Sequence, residues 1–294
     1  MGLTVEGANG PTDQTLFELG TYGYNCRDTS FRRGQTPCLV LDGYLNTINR
    51  DPRLVIVGLG IDSTEQVIRC PYVPFRIAAH LEAAGLNYRM LLLDIDEGVV
   101  ADVLGRQRLY VSLANHSPEV QMGIQEEWER YLVETHQDGR VIHEEEEGLV
   151  FNPSIGKYTQ FQSIYLEHGI LAADVPQGFR QRLTTGDIKA LQGNIAVFDL
   201  SRYGKADYVD CMNVLYLLSQ QGQRAALANI ATTLDTDGIT LINDIAIRSE
   251  FGVPLFEERG GWLTDQYLGS LGLRKDKDLS LEFRNGVVLR KVGV

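Results

Sequence analysis

Two glycines and an acidic residue have the types and spacing of a nucleotide-binding site. Gly58 and Gly60 follow an apolar, β-branched run over 54–57, and Asp94 ends a second apolar run that begins at Met90. Glycines at a strand–helix turn let the backbone approach a ligand closely, and a carboxylate after the next strand accepts hydrogen bonds from a ribose diol. The pattern predicts a nucleotide-type ligand at this turn; a tight turn without a ligand is the alternative.

The elements that would position these residues alternate between strands and helices. The segment from Gly60 to Ala84 is predicted to be helical, in two parts because Pro71 and Pro74 interrupt it. Periodicity predicts the other helices at 97–104, 117–135, 157–172, 220–234 and 261–270, and strands at 54–58, 89–94, 193–199, 206–213 and 239–245. The tail, 279–292, alternates around an Asn285–Gly286 turn, which predicts an antiparallel hairpin. A dinucleotide dehydrogenase would instead continue with parallel strands.

The chain is predicted to consist of an N-terminal part and one large domain. Residues 1–50 are expected to form an arm and a helical cover, and residues 51–294 the ligand-binding domain. The stretch 97–193 is far longer than an ordinary strand–helix connection. We therefore expect it to be an inserted helical lid or substrate region.

Composition and charge exclude several classes of function. The 294 residues carry a net charge of −12 with no local basic patch in the sequence, so neither nucleic acid nor an anionic membrane is an expected partner. The four cysteines lack metal or disulfide spacing, and no signal peptide or membrane span is found. His143 and the four glutamates after it are interpreted as a solvated charge run, with a metal site as the alternative. We expect a cytoplasmic protein without a metal; the sequence does not predict its oligomeric state.

Several short motifs, in this order, resemble the chemotaxis-receptor glutamate methyltransferases (CheR type), which are class I S-adenosylmethionine (SAM) methyltransferases. Gly60 to Gln66 is similar to the glycine- and glutamate-containing motif of that family, and Leu93 to Asp96 to its Thr-Asp-Ile-Asp. Asn213 to Tyr216 resembles its Arg-Asn-Val-Leu/Met-Ile-Tyr segment, and Thr29 to Arg32 its N-terminal Thr-x-Phe-Phe-Arg. The resemblance implies a Rossmann-like α/β sheet, mostly parallel with an antiparallel C-terminal hairpin, and SAM as cofactor.

The resemblance also implies roles for individual residues. Gly58 and Gly60 would lie against the methionine part of SAM, and Asp94 would bind its ribose. The remaining cofactor contacts implied are Asp62, Ser63 and Glu65 for the amino group, Asp199 and Leu200 for adenine, and Asn213 and Val214 beside the transferred methyl. Arg32 would bind a carboxylate of the cofactor or substrate, and Tyr216 would contact substrate. The alternatives that involve no ligand are helix caps for Asp62, Ser63 and Asp199, and a solvated surface arginine for Arg32.

Departures from the family pattern bear on the substrate more than on the cofactor. Met212 stands where the family has arginine, and Leu217 where it has tyrosine. The leading hypothesis is therefore a SAM-dependent methyltransferase acting on the oxygen, nitrogen or carboxylate of a small molecule. A protein-glutamate methyltransferase of the chemotaxis type and a non-catalytic SAM-binding regulatory scaffold are the alternatives.

Overall fold

The computed structural model describes residues 35–48, 50–59, 62–64, 68–70, 72–112, 118–138, 140–142, 170–212, 214–215, 218–243, 255–280 and 286–293. Helices and strands alternate through most of these ranges. The helices are α1 (Gln35–Leu45), α2 (Tyr72–Ala83), α3 (Glu97–Gly105), α4 (Pro118–Thr135), α5 (Gln177–Thr185), α6 (Gln220–Thr233), α7 (Asp265–Ser270) and α8 (Lys277–Ser280). The strands are β1 (Arg53–Val57), β2 (Asp62–Thr64), β3 (Ile68–Cys70), β4 (Arg89–Asp94), β5 (Arg108–Ser112), β6 (Arg140–Ile142), β7 (Ile170–Asp174), β8 (Ile188–Gln192), β9 (Ala206–Cys211), β10 (Leu234–Asn243), β11 (Leu273–Lys275) and β12 (Gly286–Lys291).

The main sheet confirms the predicted fold class. Among the described residues it has seven strands in the order β11–β12–β10–β9–β1–β4–β8. Neighbouring strands from β8 to β10 are parallel, whereas β12 runs antiparallel to both β10 and β11. This is the Rossmann-like, mostly parallel sheet with an antiparallel C-terminal pair that the resemblance implied.

Both faces of the sheet are buried, which explains why its central strands are almost continuously apolar. Successive side chains of β1 point to opposite faces. Ile56 therefore belongs to a core shared with α1, α2 and α5, and Val55 to a second core shared with α6 and α7. Strands β1, β4 and β9 and helices α3, α4 and α6 lie close to where periodicity predicts them.

The segment between Gly60 and Pro71 does not form the predicted helix where it is described. Strands β2 and β3 instead pair antiparallel, with Ser63 opposite Arg69. Thr64 and Ile68 are β-branched and favour extended backbone, and Pro71 prevents a helix from running through into α2. The helix begins at Tyr72, and Pro74 lies within its first turn.

The stretch 97–193 contains more strand than the sequence predicted. A three-stranded antiparallel sheet, β5–β7–β6, lies within it, and β7 occupies the C-terminal end of the helix predicted at 157–172. The strand predicted at 193–199 was wrong, because the parallel strand next to β4 is β8, which ends at Gln192. This edge strand has an exposed lysine at position 189, so it lacks the uniformly apolar pattern from which a buried parallel strand is predicted.

The terminal antiparallel pair also has different members from those predicted. Strand β12 contains the predicted second half of the hairpin, but its partners are β10 and β11. Residues 279 and 280, predicted as the start of the first half, belong to the helix Lys277–Ser280, and 281–285 lie outside the described residues. The described helices include none with the length and apolarity needed to span a bilayer.

Candidate functional site

The carboxyl ends of four parallel strands bring the candidate site together. Gly58 directly follows β1, Asp94 ends β4, Gly193 follows β8, and Val214 lies just after β9. The chain moves from β1 to β4 and β8 on one side, then returns to β9 and β10 on the other. Ligands of open α/β sheets bind in the crevice at such a switch point, outside the carboxyl ends of the strands.

Gly58 brings the β1 turn into close contact with the segment that follows β9. Its φ of +66° is in the left-handed region, which favours glycine. A Cβ atom at this position would overlap Cγ2 of Val214. The Gly58 N–H donates to the carbonyl oxygen of Leu93 at 2.9 Å, which ties the turn to the end of β4. The predicted pair Gly58 and Val214 is therefore in direct contact across the switch point.

Asp94 is a nearly buried carboxylate with spare capacity to accept hydrogen bonds. Only 9% of the residue is exposed. One oxygen accepts from the backbone N–H of Leu59 at 2.8 Å, and the other from that of Asp96 at 2.9 Å. Each carboxylate oxygen has two lone pairs, so the hydrogen bonds from Leu59 and Asp96 leave acceptor capacity on both oxygens. Burial raises the pKa of Asp94 to about 6, and hydrogen bonds from the backbone N–H groups of Asp96, Leu59 and Ile95 oppose that rise. A ribose diol, which supplies two O–H donors, matches this arrangement.

The loop after β8 adds residues that sequence reasoning missed. The Gly193 N–H donates to the backbone oxygen of Asp94 at 2.7 Å, and Gln192 Nε2 donates to that of Ile95 at 3.1 Å. Asn194 follows immediately and accepts from the Ala196 N–H at 2.9 Å. Ile95 is 46% exposed, so an apolar side chain lies open beside the Asp94 carboxylate and this loop. The Gly-Asn pair would have marked the loop in the sequence if β8 had been placed correctly.

Asp199 and Leu200 are not brought to this cluster. Asp199 caps a short 3₁₀ helix, Leu200–Tyr203, and its carboxylate accepts from Ser201 and from Arg202 Nε at 2.9 Å. The hydrogen bond from Ser201 and the neighbouring Arg202 lower the pKa of Asp199. Leu200 is fully buried in the second core. At this point the chain is running from the carboxyl end of β8 back to the amino end of β9. The structure shows Asp199 as a helix cap, which was the alternative prediction.

Other predicted site residues fall partly or wholly outside the described residues. For Asp62 and Ser63 only the backbone is described, in β2, so the helix-cap alternative does not apply to them. The predicted residues outside the described ranges are Arg32, Gly60, Glu65, Asn213 and Tyr216. Asp96 accepts from the Gly98 N–H at 2.7 Å and caps α3, as expected for a turn or cap residue. Among the described residues no group of three His, Cys, Asp or Glu side chains is placed to hold a metal ion.

Searches with protein-family models and among curated proteins found no match to the sequence. Solved structures to which the chain is similar include a TehB-like SAM-dependent methyltransferase from Corynebacterium glutamicum, with 13% identity, 95% of each chain covered and a TM-score of 0.41. A second is 1,6-didemethyltoxoflavin-N1-methyltransferase from Burkholderia thailandensis, with 11% identity, 95% of this chain and 87% of that chain covered, and a TM-score of 0.43. A third is the N-methyltransferase NodS from Bradyrhizobium japonicum, with 12% identity, 94% and 95% covered, and a TM-score of 0.41. The function proposed for this chain therefore rests on its own sheet order and site residues.

Proposed function

We propose that the protein is a SAM-dependent methyltransferase. The observation that carries the proposal is Asp94: a nearly buried carboxylate at the carboxyl edge of the sheet, whose hydrogen bonds from Leu59 and Asp96 leave acceptor capacity on both oxygens. It lies next to the Gly58 turn at the switch point, where a nucleotide-containing ligand is expected. The antiparallel β12 favours a methyltransferase sheet over a dinucleotide dehydrogenase.

The residues present fit SAM in three parts. Asp94 would accept hydrogen bonds from the ribose diol. The methionine part would lie against the backbone of the Gly58 turn, and we assign its amino group to Asp62, Ser63 and Glu65. We assign the adenine contact to Ile95 and the Gly193–Asn194 loop, in place of the Asp199 and Leu200 that the resemblance implied, because they lie beside Asp94.

The chemistry requires positioning more than a dedicated catalytic base. SAM supplies an activated methyl group on a sulfonium, and its transfer is an in-line displacement. The protein would hold the acceptor in line with that methyl and exclude water from both reactants. We assign the wall beside the methyl to Asn213 and Val214, and contact with the acceptor to Arg32 and Tyr216. An acceptor that is already ionised, such as a carboxylate, needs no proton removed.

We propose a small molecule as the acceptor, with oxygen, nitrogen or carboxylate as the atom or group methylated. Met212 and Leu217, which replace the arginine and tyrosine of the chemotaxis-receptor enzymes, favour this over a receptor glutamate. An assay separates the three possibilities. A panel of small acceptors and a chemotaxis receptor are incubated with radiolabelled SAM. Label in a small product supports the proposal, base-labile label on the receptor supports the protein substrate, and tight cofactor binding without turnover supports the regulatory scaffold.

Cofactor binding is tested by calorimetry with S-adenosylhomocysteine and two matched variants. Asp94→Asn removes the charge that strengthens both ribose hydrogen bonds, so we expect a loss of about 2 kcal/mol in binding free energy, or roughly 30-fold in Kd. Asp96→Asn is the control, because asparagine also caps a helix well, and its Kd should stay close to that of the wild type. Circular dichroism establishes that both variants are folded. No binding by the wild type, or equal Kd values for the two variants, would reject the proposal.

A further inference from the structure

The amino edge of the sheet, opposite the candidate cofactor site, carries two adjoining grooves. The first encloses about 350 Å³ between the amino halves of β1, β4 and β8 and the segment 200–206. The second encloses about 670 Å³ between residues 50–53, residues 87–89 and the C-terminal part of α5. Arg53, Arg89 and Asp187 line both grooves and so form their common boundary; the two grooves together are called the depression below.

The first groove exists because one connection in the fold is short. The other parallel strand pairs are joined through full helices, but β8 leads to β9 through a 3₁₀ helix of only four residues. That helix contributes Leu200 to the second core and leaves the amino halves of β1, β4 and β8 partly open. Tyr203, at its end, is 42% exposed and lines the opening.

The walls of the depression are basic, in a chain whose net charge is −12. The cations of the first groove are Arg53, Arg89, Lys189, Arg202 and Lys205, and the second adds Arg50 and Arg182. The carboxylates that line either groove are Asp51 and Asp187. These cations are scattered from position 50 to 205, so no basic run marks the patch in the sequence, and only the fold brings them together.

Carboxylates outside the walls neutralise part of this charge. Asp207 and Asp235 pair with Arg50 and Arg53, and Asp199 pairs with Arg202. Together with the two lining carboxylates, these make five acids against seven cations.

Three of the cations have no carboxylate partner among the described residues. Lys189 Nζ lies 5.9 Å from the Tyr203 ring centroid, and Lys205 Nζ donates to the carbonyl of Thr232. Arg182 lies over the ring of Tyr88, and its donors reach only neutral acceptors. The depression therefore keeps a positive excess.

We propose that this depression binds a small anion with two linked phosphoryl groups. Guanidinium groups bind phosphate oxygens through two parallel hydrogen bonds, and ammonium groups bind them as point charges. Because Arg53 and Arg89 line both grooves, an anion with two phosphoryl groups bound at this boundary would be within reach of cations from both grooves. Because this edge lies at the opposite ends of the strands from Asp94, the anion and the cofactor would occupy the protein together. The inference does not depend on the proposed methyl transfer.

The test is titration calorimetry with inorganic pyrophosphate in low-salt buffer, at saturating S-adenosylhomocysteine. The site variant is Arg89→Gln/Lys189→Gln, which removes two exposed groove cations. The control is Arg274→Gln/Lys277→Gln, which removes the same charge from exposed positions in β11 and α8. We expect saturable binding by the wild type, at least about tenfold weaker binding by the site variant, and a change of less than about twofold in the control.

Three results would overturn the proposal. The first is absence of saturable binding by the wild type. The second is an equal loss in both double variants, which would reflect net charge alone. The third comes from a parallel titration without cofactor: pyrophosphate binding that saturating S-adenosylhomocysteine abolishes would place the anion at the carboxyl edge. Thermal melts check that the variants fold; if the double site variant does not, Lys189→Gln alone serves, because this side chain has no carboxylate partner among the described residues.

Discussion

At the scale of single residues, Asp94 combines burial with hydrogen-bonding capacity that the side chains of the described residues do not use. Two backbone donors hold its orientation, and burial holds its pKa near 6. The raised pKa means that the fold favours the protonated form. Its contribution to stability is therefore present below its unfolded pKa of about 4 and is lost as the pH rises through about 6. A ligand that donates to the ionised carboxylate would recover part of that loss.

The same pKa predicts how cofactor affinity depends on pH. Ribose hydroxyls donate to the ionised form, so protonation of Asp94 competes with binding. With a pKa of about 6, the Kd for S-adenosylhomocysteine should rise by roughly tenfold between pH 8 and pH 5. Calorimetry across this range measures the change, and Asp94→Asn should show a much flatter profile. Equal slopes for the two proteins would exclude Asp94 as the titrating group.

Gly58 provides a second test at the residue scale, with Gly85 as a matched control. Both have φ near +70°, but a Cβ at Gly85 would meet no atom within 4 Å, whereas one at Gly58 would overlap Val214. Gly85→Ala should lower the free energy of unfolding by about 1 kcal/mol through backbone strain alone. Gly58→Ala should cost about 1–3 kcal/mol more through overpacking. Urea unfolding measures both free energies. Equal losses would mean that Val214 can move away from a Cβ at position 58 without loss of stability.

Sequence predicted the part of the site that has strong local patterns. Gly58 and Asp94 follow uniformly apolar strands, so their places at strand ends could be inferred from the residues alone. The position of Asn194 could not, because β8 is an edge strand with polar residues among its apolar ones. The sequence therefore offered no reason to consider the Gly193–Asn194 loop, and the adenine contact stays a prediction.

At the scale of elements, a buried ion cluster joins helix α2 of the sheet domain to helix α4 of the inserted region. Arg76 is fully buried and donates to Glu127 and Glu134, at 3.2 Å for Nη2 to Glu134 Oε1. His80 extends the cluster to α1 through Asp42 at 2.8 Å. Burial lowers the pKa of His80, but Glu134 and Asp42 outweigh it and raise the pKa overall. The cluster therefore ties α4 to α1 and α2.

Loss of the central arginine should be costly. Arg76→Met leaves Glu127 and Glu134 without their buried partner, so we expect the free energy of unfolding to fall by about 3–5 kcal/mol. Arg89→Met is the control: it removes an exposed arginine whose pairing with Asp187 spans 3.6 Å, and it should change stability by less than about 1 kcal/mol. Chemical denaturation of both variants provides the comparison. A loss for Arg76→Met no larger than that of the control would show that α4 is held by its apolar contacts alone.

Such a cluster could not be predicted from helical periodicity. An arginine in an amphipathic helix is expected at the surface, and the partners of Arg76 are 51 and 58 residues away in sequence.

The wrong prediction of a strand from Leu279 has a related cause. The alternation from Leu279 favoured a strand, whereas β11, the strand that pairs with β12, is only three residues long and includes two basic residues. Contacts with the rest of the fold, and not the local sequence pattern, determine where such short polar strands pair.

At the scale of the whole molecule, the two ends of the parallel strands have different characters. The carboxyl edge presents the Asp94 carboxylate, glycine turns and an exposed isoleucine, which suit a nucleoside. The amino edge presents a basic depression within an acidic protein. Sheet order accounts for both, because parallel strands collect their leading residues at one edge and their trailing residues at the other. The order itself was predictable from the α/β alternation and the family resemblance; the gathering of distant cations was not.

The structure of the protein with S-adenosylhomocysteine tests the central claim most directly. We expect both ribose hydroxyls within hydrogen-bonding distance of the Asp94 carboxylate. The adenine should lie beside Ile95 and the Gly193–Asn194 loop, and the amino-acid part against Gly58. A ligand bound elsewhere, or a ribose that does not contact Asp94, would contradict the account.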